Sequence, residues 1–322
     1  MAIPGFGSFS LREAHIEEHY DVAIIGAGPG GLSAAIYSKR AGLNPIVLDK
    51  NLTGGLVIEN PLVENYLSYK HIEGDKLAEL MKTHAKEYAT ILDNVEIQDI
   101  TKKDNDFEIK LSDKLIKASA IILATGTTHR KLGVAGEEKY FGKGVSYCVT
   151  CDAYFFKGKN VAVIGGANSG AIASLYLKNV GVTPVIFEYM PRKMCEYSYV
   201  QKLEEEKIAY NLNVQLTEII GDGLKVKKIR YIDRSSNAET VQDFDGVFIY
   251  VGLYPQNEIA KKLGVNLDNK GYVIIDKKQR TNIPKIYAAG DITGNSGQII
   301  ISAGQGALAA LSAYEDLKLN KL

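Results

Sequence analysis

The sequence predicts an α/β fold in which one domain is inserted into another. Two segments share the order of buried strand, glycine-rich loop, helix and second strand, and they begin at residues 21–25 and 160–164. In both segments an acidic residue, Asp49 or Glu188, lies 18 residues after the last glycine of the loop. This order opens a βαβ unit, and its return within one chain indicates an internal repeat. The sequence therefore predicts two Rossmann-like dinucleotide-binding domains, one inserted into the other.

Length and composition are those of an ordinary globular protein. The 322 residues correspond to about two domains of ~150 residues. The 38 basic and 38 acidic residues balance, so we expect neither nucleic acid nor an anionic membrane as a partner. No apolar run approaches the ~18 residues of a membrane helix, and residues 1–20 lack the apolar centre of a signal peptide. We therefore expect a cytoplasmic protein.

The predicted elements follow one another in the same order in both halves. In the first half they are a strand at 21–25, a helix at 31–41, a strand at 44–48, an alternating antiparallel insert at 95–118 and a buried strand at 120–124. In the second half they are a strand at 160–164, a helix at 170–179, a strand at 183–187, an insert at 215–243 and a strand at 246–251. The chain ends with a predicted strand at 285–289 and a helix of small residues at 302–317. We expect the crossovers between domains near residues 126–130 and 250–255.

The first glycine-rich loop has the spacing G-x-G-x-x-G. Its glycines are Gly26, Gly28 and Gly31, and Pro29 lies between the last two. The first glycine permits a tight turn, the second lets a pyrophosphate approach the backbone, and the third lets helix and strand pack closely. The helix that follows offers its amino-terminal N–H groups to phosphate, and Asp49 is placed to accept from a ribose hydroxyl. A glycine-rich packing turn is the alternative, but the flanking elements favour dinucleotide binding.

A pair of cysteines lies between the two repeats, in Cys148-Val149-Thr150-Cys151-Asp152. The total of three cysteines is odd and low, which argues against a framework of structural disulfides. A zinc site needs about four ligands, and Cys195 and the five histidines show no second-pair spacing, so we expect no metal. Two inert thiols are another alternative. A redox pair is favoured, because the Asp152 carboxyl group could move protons as a disulfide opens and closes.

A third candidate site lies near the end of the chain. Asp291 follows Gly290 at the end of a predicted strand, where its carboxylate could bind a ribityl hydroxyl. The N–H groups of a helix that starts near Gln298 and Ile299 could face a flavin ring and stabilise negative charge in its reduced form. Alone, the Gly-Asp pair would be an ordinary turn. With the first loop, it favours a flavin cofactor.

At this point the motifs match a known family. From about residue 20 to residue 317 the chain resembles the low-molecular-weight thioredoxin reductases of bacteria and archaea. The shared motifs are GAGPGG at 26–31, Thr53-Gly54-Gly55, Glu64-Asn65-Tyr66, Ala124-Thr125-Gly126, Cys148-Val149-Thr150-Cys151-Asp152 and Ala288-Ala289-Gly290-Asp291 with Gln298. The C-x-x-C-Asp between the two loops is the specific element, because many flavoproteins share the loops alone.

The resemblance implies an FAD domain formed by residues 1–127 and 253–322. Residues 128–252 would form a pyridine-nucleotide-type domain that carries the cysteines. The residues it assigns to FAD are Gly26, Gly28, Pro29, Gly31, Asp49, Gly54, Gly55, Asn65, Ala124, Thr125, Gly126, Gly290, Asp291, Gln298 and Ile299. It also implies a homodimer in which one domain rotates against the other during the reaction.

The resemblance also assigns roles to the redox motif. Cys151 would lie nearest the flavin, Cys148 would exchange with a thioredoxin or glutaredoxin-like protein, and Asp152 would act as acid and base. The expected activity is that of a thioredoxin reductase. The alternatives are a flavin or ferredoxin-type oxidoreductase that retains the cysteines, and a redox-sensing flavoprotein.

The second glycine loop departs from the family pattern. Ala167 stands where the family has the glycine that meets pyrophosphate, and Glu188 takes the place of an arginine that grips the 2′-phosphate of NADPH. Gly297 replaces a further arginine, while Arg192 and Lys193 could restore some phosphate binding. We expect NADPH to be a poor donor. NADH is possible, since an acid suits its free 2′-hydroxyl, and a different donor remains open.

Overall fold

A computed structural model describes residues 17–295 and 297–319. Its strands are β1 (His19–Ile25), β2 (Pro45–Leu48), β3 (Thr90–Leu92), β4 (Asp99–Lys103), β5 (Asp106–Lys110), β6 (Leu115–Leu123), β7 (Thr127–His129), β8 (Val145–Ser146), β9 (Asn160–Ile164), β10 (Thr183–Phe187), β11 (Ala209–Asn211), β12 (Val214–Gly221), β13 (Val226–Asp233), β14 (Glu239–Asp243), β15 (Gly246–Ile249), β16 (Leu253–Pro255) and β17 (Ile286–Ala288). Its α-helices are α1 (Pro29–Arg40), α2 (Gly74–Lys86), α3 (Val149–Asp152), α4 (Asn168–Asn179), α5 (Tyr197–Glu205), α6 (Glu258–Lys262) and α7 (Ile299–Tyr314). Short 3₁₀ turns occupy Gly55–Glu59, Ala153–Phe156 and Asp291–Thr293, and α7 continues into a π turn at Glu315–Leu319.

The chain forms two compact units. The first contains the described residues up to Gly55, then 80–126, and the described residues from Asn257 onward, while the second contains 56–79 and 127–256. The sequence-based division placed residues 56–79 with the first segment. In the structure they join the second unit, where Glu59 Oε2 lies 2.6 Å from His129 Nε2. The assignment of each unit to a nucleotide stays a prediction.

The first unit is built on a mixed sheet. The strands β3, β2, β1, β6 and β17 are paired in parallel. In the same sheet, β5 pairs antiparallel with the first part of β6, and β4 pairs antiparallel with β5. The predicted strand at 120–124 is thus only the second half of β6. It extends back to Leu115 because residues 115–118 pair with β5. Apolar side chains on both faces of the sheet are buried, among them Ile24 and Tyr287 on the face that α1 and α7 cover.

The second unit repeats the parallel arrangement. Its main sheet has the order β11-β10-β9-β15-β8 with every pair parallel. The predicted insert at 215–243 forms the antiparallel sheet β12-β13-β14. The two Rossmann-like units predicted from the sequence are therefore confirmed as a fold class. No helix among the described residues is both long and apolar enough to cross a bilayer.

Two helix starts differ from the sequence prediction. The first helix begins at Pro29 rather than at residue 31, because the fixed φ of proline suits the first helical position and its missing N–H is not needed there. The last helix begins at Ile299, three residues before the predicted helical stretch at 302–317 and at the start expected for the flavin site. The helices α2 and α5 were not predicted. Both are amphipathic and lie on the protein surface, so no glycine loop or buried strand marks them in the sequence.

Candidate active site

Most of the residues predicted to bind FAD meet at one edge of the first sheet. Because β1, β2, β6 and β17 are parallel, their carboxyl ends lie at the same edge. The residues that follow them are Gly26 after β1, Asp49 after β2, Ala124 after β6, and Gly290 and Asp291 after β17. The order of connections reverses between β1 and β6, and ligands of open α/β sheets bind at such a switch point.

At two positions of the first loop, contacts within the polypeptide require glycine. Gly26 has φ of +106°, and a Cβ there would lie 2.1 Å from the Ala124 carbonyl oxygen. A Cβ on Gly31 would lie 1.9 Å from the Gly26 carbonyl oxygen. Gly28 is different, since its backbone is extended and a Cβ would meet nothing within 4 Å. Gly28 therefore leaves space for a ligand, whereas Gly26 and Gly31 are required by the polypeptide itself.

Asp49 is held against this loop by two backbone amides. Its Oδ2 accepts from the Ala27 N–H at 2.6 Å and its Oδ1 accepts from the Asn51 N–H at 2.8 Å. Burial raises the pKa of the Asp49 carboxyl, and the two amide bonds oppose that shift. Gly54 donates its N–H to the Ala27 carbonyl at 2.9 Å, and Gly55 lies so close that a Cβ would be 3.2 Å from Gly28 Cα. The loop, the acid and the Gly54-Gly55 turn thus form one cluster.

The carboxyl-terminal residues complete the edge. Asp291 accepts from the Ser302 hydroxyl at 3.1 Å, and burial raises the pKa of the Asp291 carboxyl. Gln298 is the N-cap of α7 and Ile299 is its first residue. A Cβ on Gly306 of α7 would lie 1.9 Å from the Gly30 carbonyl oxygen, so glycine here brings α7 against α1.

These residues fit a dinucleotide with a flavin end. The open space above Gly28 at the start of α1 suits a pyrophosphate, the Asp49 carboxylate suits a ribose hydroxyl, and the Asp291 carboxylate suits a ribityl hydroxyl. Thr125 and Gly126 follow Ala124 at the same edge. Asn65 is the exception, because it belongs to the second unit and is exposed. The FAD contacts of all fifteen residues remain predictions.

The second loop reproduces the geometry of the first. A Cβ on Gly165 would lie 2.2 Å from the Tyr250 carbonyl oxygen, and one on Gly170 would lie 1.9 Å from the Gly165 carbonyl oxygen. Ala167 has φ −69° and ψ −175°, close to the −76° and −177° of Gly28. Alanine therefore fits this backbone without strain. Its exposed methyl group fills the space in the second loop that corresponds to the open space above Gly28 in the first loop.

Glu188 takes the position that Asp49 has in the first unit. Its Oε2 accepts from the Gly166 N–H at 2.7 Å and its Oε1 accepts from the Met190 N–H at 2.8 Å. The side chain is 6% exposed, so these two amide bonds fix the carboxylate at the end of β10. An acid, rather than an arginine, therefore stands at the position that corresponds to Asp49 in the first unit.

A further carboxylate lies at the start of α4. Glu196 Oε1 accepts from Asn168 Nδ2 at 2.7 Å, and its backbone N–H donates to Asn168 Oδ1 at 2.8 Å. This reciprocal pair holds Glu196 against the helix end that would face a pyrophosphate. Lys193, one of the two cations expected to restore phosphate binding, is 2.6 Å from Glu204 Oε1.

The two cysteines of the C-x-x-C motif are joined in a disulfide, with their Cα atoms 5.4 Å apart. Cys148 is the N-cap of α3, and its sulfur accepts from the Cys151 N–H. Cys148 and Asp152 are half-buried, whereas Cys151 is exposed within its unit. The sequence motif therefore folds into a single helical turn that holds both sulfur atoms at its amino-terminal end.

Several neighbours of this disulfide escaped the sequence analysis. The Thr150 hydroxyl is 3.2 Å from Cys148 Sγ, and the Tyr250 hydroxyl accepts from the Val149 N–H at 3.2 Å. Burial raises the pKa of Tyr250, so this hydroxyl stays protonated. Tyr250 and the Glu59–His129 pair lie far from the motif in the sequence, so only folding brings them near it. Thr150 lies inside the motif, and its hydroxyl alone could have marked it as a candidate site residue.

The third cysteine lies apart from this chemistry. Burial raises the pKa of the Cys195 thiol, which lowers its thiolate fraction and hence its reactivity. Among the residues described, no three His, Cys, Asp or Glu side chains cluster so that they could hold a metal ion.

The family of the chain follows from these features and from comparison with known proteins. The family model of the pyridine nucleotide-disulphide oxidoreductases matches residues 20–307, and the chain belongs to this family. A thioredoxin reductase of Listeria innocua is 37% identical over 307 residues, 94% of this chain and 96% of that protein. The crystal structure of T. acidophilum thioredoxin reductase is 51% identical with a TM-score of 0.91, covering 93% of this chain and 99% of that one. The thioredoxin reductase of Lactococcus lactis is 35% identical with a TM-score of 0.89, covering 94% and 100%.

The chain is thus an oxidoreductase flavoenzyme similar to the low-molecular-weight thioredoxin reductases. The resemblance drawn from its motifs is confirmed, and so is the class of activity, a flavin-dependent dithiol–disulfide exchange. The family binds FAD and uses pyridine nucleotides.

The glycines of the first loop lead to a prediction about stability and cofactor binding. Gly31→Ala should destabilise the apoprotein by about 1–3 kcal/mol, because its methyl group would overlap the Gly26 carbonyl. Gly28→Ala should change the stability by less than about 0.5 kcal/mol but should lose FAD, because its methyl group enters only the ligand's space. Urea unfolding of the apoproteins and the FAD content after gel filtration measure the two effects.

Gly304→Ala serves as the control, because a Cβ at this exposed position of α7 meets nothing within 4 Å. It should keep FAD and be at least as stable as wild type, because alanine is favoured over glycine within a helix. If Gly28→Ala retains a full complement of FAD after dilution and gel filtration, the pyrophosphate does not lie above this residue.

Proposed function

We propose that this flavoenzyme reduces the disulfide of a thioredoxin or glutaredoxin-like protein through Cys148 and Cys151, and that NADPH is a poor electron donor for it. The observation that carries the first part is the disulfide between these residues at the start of α3, followed directly by Asp152. We further expect a cytoplasmic homodimer with no nucleic acid, membrane or metal among its partners.

The residues of the motif have distinct tasks in this proposal. FAD, when bound and reduced, supplies the electron pair that opens the disulfide. Cys151 receives this pair, and Cys148 leaves as a thiolate. Cys148 then attacks one sulfur of the partner disulfide and expels the other, which takes a proton. Cys151 finally attacks Cys148 Sγ, re-forms the disulfide and releases the second partner thiol. Asp152, next to Cys151, is the group placed to transfer the protons.

Exposed aromatic residues beside the motif support the proposal that the disulfide reduced by this enzyme belongs to a protein. Tyr154 and Phe155 follow Asp152 directly and are 67% and 72% exposed. Large aromatic side chains that are exposed next to a reactive group favour contact with a partner surface. We propose that these two side chains contact the thioredoxin-like protein during exchange.

The second loop supports the proposal about the donor. Ala167 places a methyl group where the first loop is open, and both Glu188 and Glu196 place carboxylates near the positions of nucleotide phosphates. NADH, which lacks the 2′-phosphate, is compatible with Glu188 but still meets Ala167. A donor other than a pyridine nucleotide is therefore a serious alternative.

Counting thiols before and after flavin reduction tests the dithiol part without assuming a donor. The flavin is photoreduced without oxygen, and thiols are then titrated in denaturant. We expect two new thiols per chain, and, in a separate native sample under continuous photoreduction, several turnovers with an added thioredoxin.

No new thiols would show that the cysteines are retained without redox use, as in a flavin or ferredoxin-type oxidoreductase. Two thiols without turnover on any thioredoxin or glutaredoxin would instead indicate a redox-sensing flavoprotein. In both cases the proposed function is wrong.

A further inference from the structure

The Cys148 sulfur atom has two hydrogen-bond donors beside it. The Cys151 backbone nitrogen and the Thr150 hydroxyl oxygen each lie 3.2 Å from Cys148 Sγ. A disulfide sulfur carries no hydrogen atom, so the hydroxyl of Thr150 must be the donor in its contact. Both contacts are made within α3 and its N-cap, so they belong to the motif itself.

The Thr150 hydroxyl is only weakly engaged while the disulfide is intact. Sulfur is a weak acceptor. The other acceptor within reach is the Glu59 carbonyl oxygen at 3.5 Å, whereas hydroxyl hydrogen bonds usually measure about 2.5–3.0 Å. The hydroxyl therefore lies next to a reacting atom with a proton that a stronger acceptor would attract.

Opening the disulfide creates that acceptor. In the proposed reaction Cys148 leaves as a thiolate, which places a negative charge on the atom that Thr150 already contacts. A hydrogen bond to an ionised atom is roughly twice as strong as one between neutral groups, and it favours the charged form. The backbone of Cys148 is fixed by Ser146, whose Oγ accepts from the Cys148 N–H at 3.0 Å and donates to its carbonyl at 3.2 Å.

The charged groups near this segment make such a donor useful. Asp152 follows in the same helical turn, and the Glu59 carboxylate is paired with His129. A carboxylate near a thiolate opposes its formation, whereas a hydrogen-bond donor favours it. The described hydrogen bonds to Cys148 Sγ come from two neutral donors, the Cys151 N–H and the Thr150 hydroxyl, which are already in place to stabilise this charge.

We propose that Thr150 is a further catalytic residue, whose hydroxyl donates to the Cys148 thiolate and makes Cys148 the attacking sulfur toward the partner disulfide. The step itself is the exchange already described: the Cys148 sulfur forms the mixed disulfide, and the partner's second sulfur leaves with the electron pair of the broken bond. This inference deepens the proposed function and rests on it.

The test measures the pKa of Cys148 directly. In a Cys151→Ala background, which keeps the residue-151 N–H, the rate of alkylation by iodoacetamide is followed against pH by mass spectrometry of the Cys148 peptide. Thr150→Val should raise this pKa by about one unit or more, the size expected for a lost hydrogen bond to an ionised group. Thr150→Ser, which retains the hydroxyl, should restore the lower value.

Three controls keep the result decisive. Thr217→Val, on β12, removes a hydroxyl that donates to the Arg230 carbonyl at 3.1 Å and should leave the Cys148 pKa unchanged. Cys195, alkylated in the same samples, serves as an internal reference. Thr150→Ala is the second variant without a hydroxyl, in case valine impairs folding, and it should shift the pKa as valine does.

An unchanged Cys148 pKa in folded Thr150→Val or Thr150→Ala protein overturns the inference. The same shift in Thr150→Ser would also overturn it, because packing rather than the hydroxyl would then be responsible. This failure is separate from failure of the proposed function. If photoreduction yields two thiols while the pKa does not move, only the role of Thr150 is wrong.

Discussion

Cys148→Ser protein should bind FAD and accept electrons into it, yet turn over no disulfide. The serine hydroxyl is a far weaker nucleophile than a thiolate, and removal of a covalent nucleophile lowers kcat by at least about 10³-fold. The FAD residues proposed above lie in the first unit, apart from Asn65, so the substitution should leave them intact. Flavin absorbance during photoreduction and turnover with a thioredoxin measure the two properties on one sample.

Cys151→Ser offers the matched comparison. This variant keeps the attacking Cys148 but lacks the sulfur that resolves the mixed disulfide, so it should accumulate a stable covalent complex with the partner. Cys195→Ser should behave as wild type, because burial raises the pKa of that thiol and so lowers its reactivity. Substantial turnover by Cys148→Ser would mean that another thiol performs the chemistry.

Micromolar NADPH should fail to bleach the flavin rapidly. A hydrogen bond to a charged group contributes about 1.5–3 kcal/mol, so two missing arginine contacts would cost about 3–6 kcal/mol, or about 10²–10⁴-fold in affinity. Glu188 adds repulsion, because its buried carboxylate is fixed by the Gly166 and Met190 amides and cannot turn away without losing both. Stopped-flow absorbance with NADPH and with NADH, without oxygen, measures the effect.

Two variants separate the effect of the Ala167 methyl group from that of the Glu196 charge on nucleotide binding. Ala167→Gly removes the methyl group from a backbone that both residues accept, so it should speed reduction by NADH more than by NADPH. Glu196→Gln keeps an acceptor for Asn168 and removes the charge at the start of α4, so it should help both nucleotides. Rapid reduction of the wild-type flavin by micromolar NADPH would show that cations such as Arg192 compensate for the missing arginines.

The sequence predicted those features that follow from local backbone chemistry. Gly26 and Gly31 were expected to permit a turn and close packing, and the structure shows that a Cβ at either would overlap a carbonyl oxygen. The repeat spacing of Asp49 and Glu188 predicted equivalent positions, and both carboxylates accept from the same two kinds of amide. Such backbone requirements place glycines and acids at a fixed spacing in the sequence. These features can therefore be found from a single sequence.

What depends on tertiary contacts could not be predicted. Glu59 reaches His129 across 70 residues of sequence, and residues 56–79 group with the second unit. The pair formed by Asn168 and Glu196 depends on how the chain returns after β10, which no spacing rule fixes. The surface helices α2 and α5 were missed because their pattern is only that of an amphipathic helix, without a motif to mark their place.

The near-identical backbone of Gly28 and Ala167 separates what the polypeptide demands from what its ligand demands. Where the loop backbone tolerates a side chain, a domain can lose its ligand and still keep its fold. In such a domain, the cleft beside the loop becomes surface that is open to other uses. Redesign of such an enzyme for a new reductant could therefore begin at residue 167 without rebuilding any core.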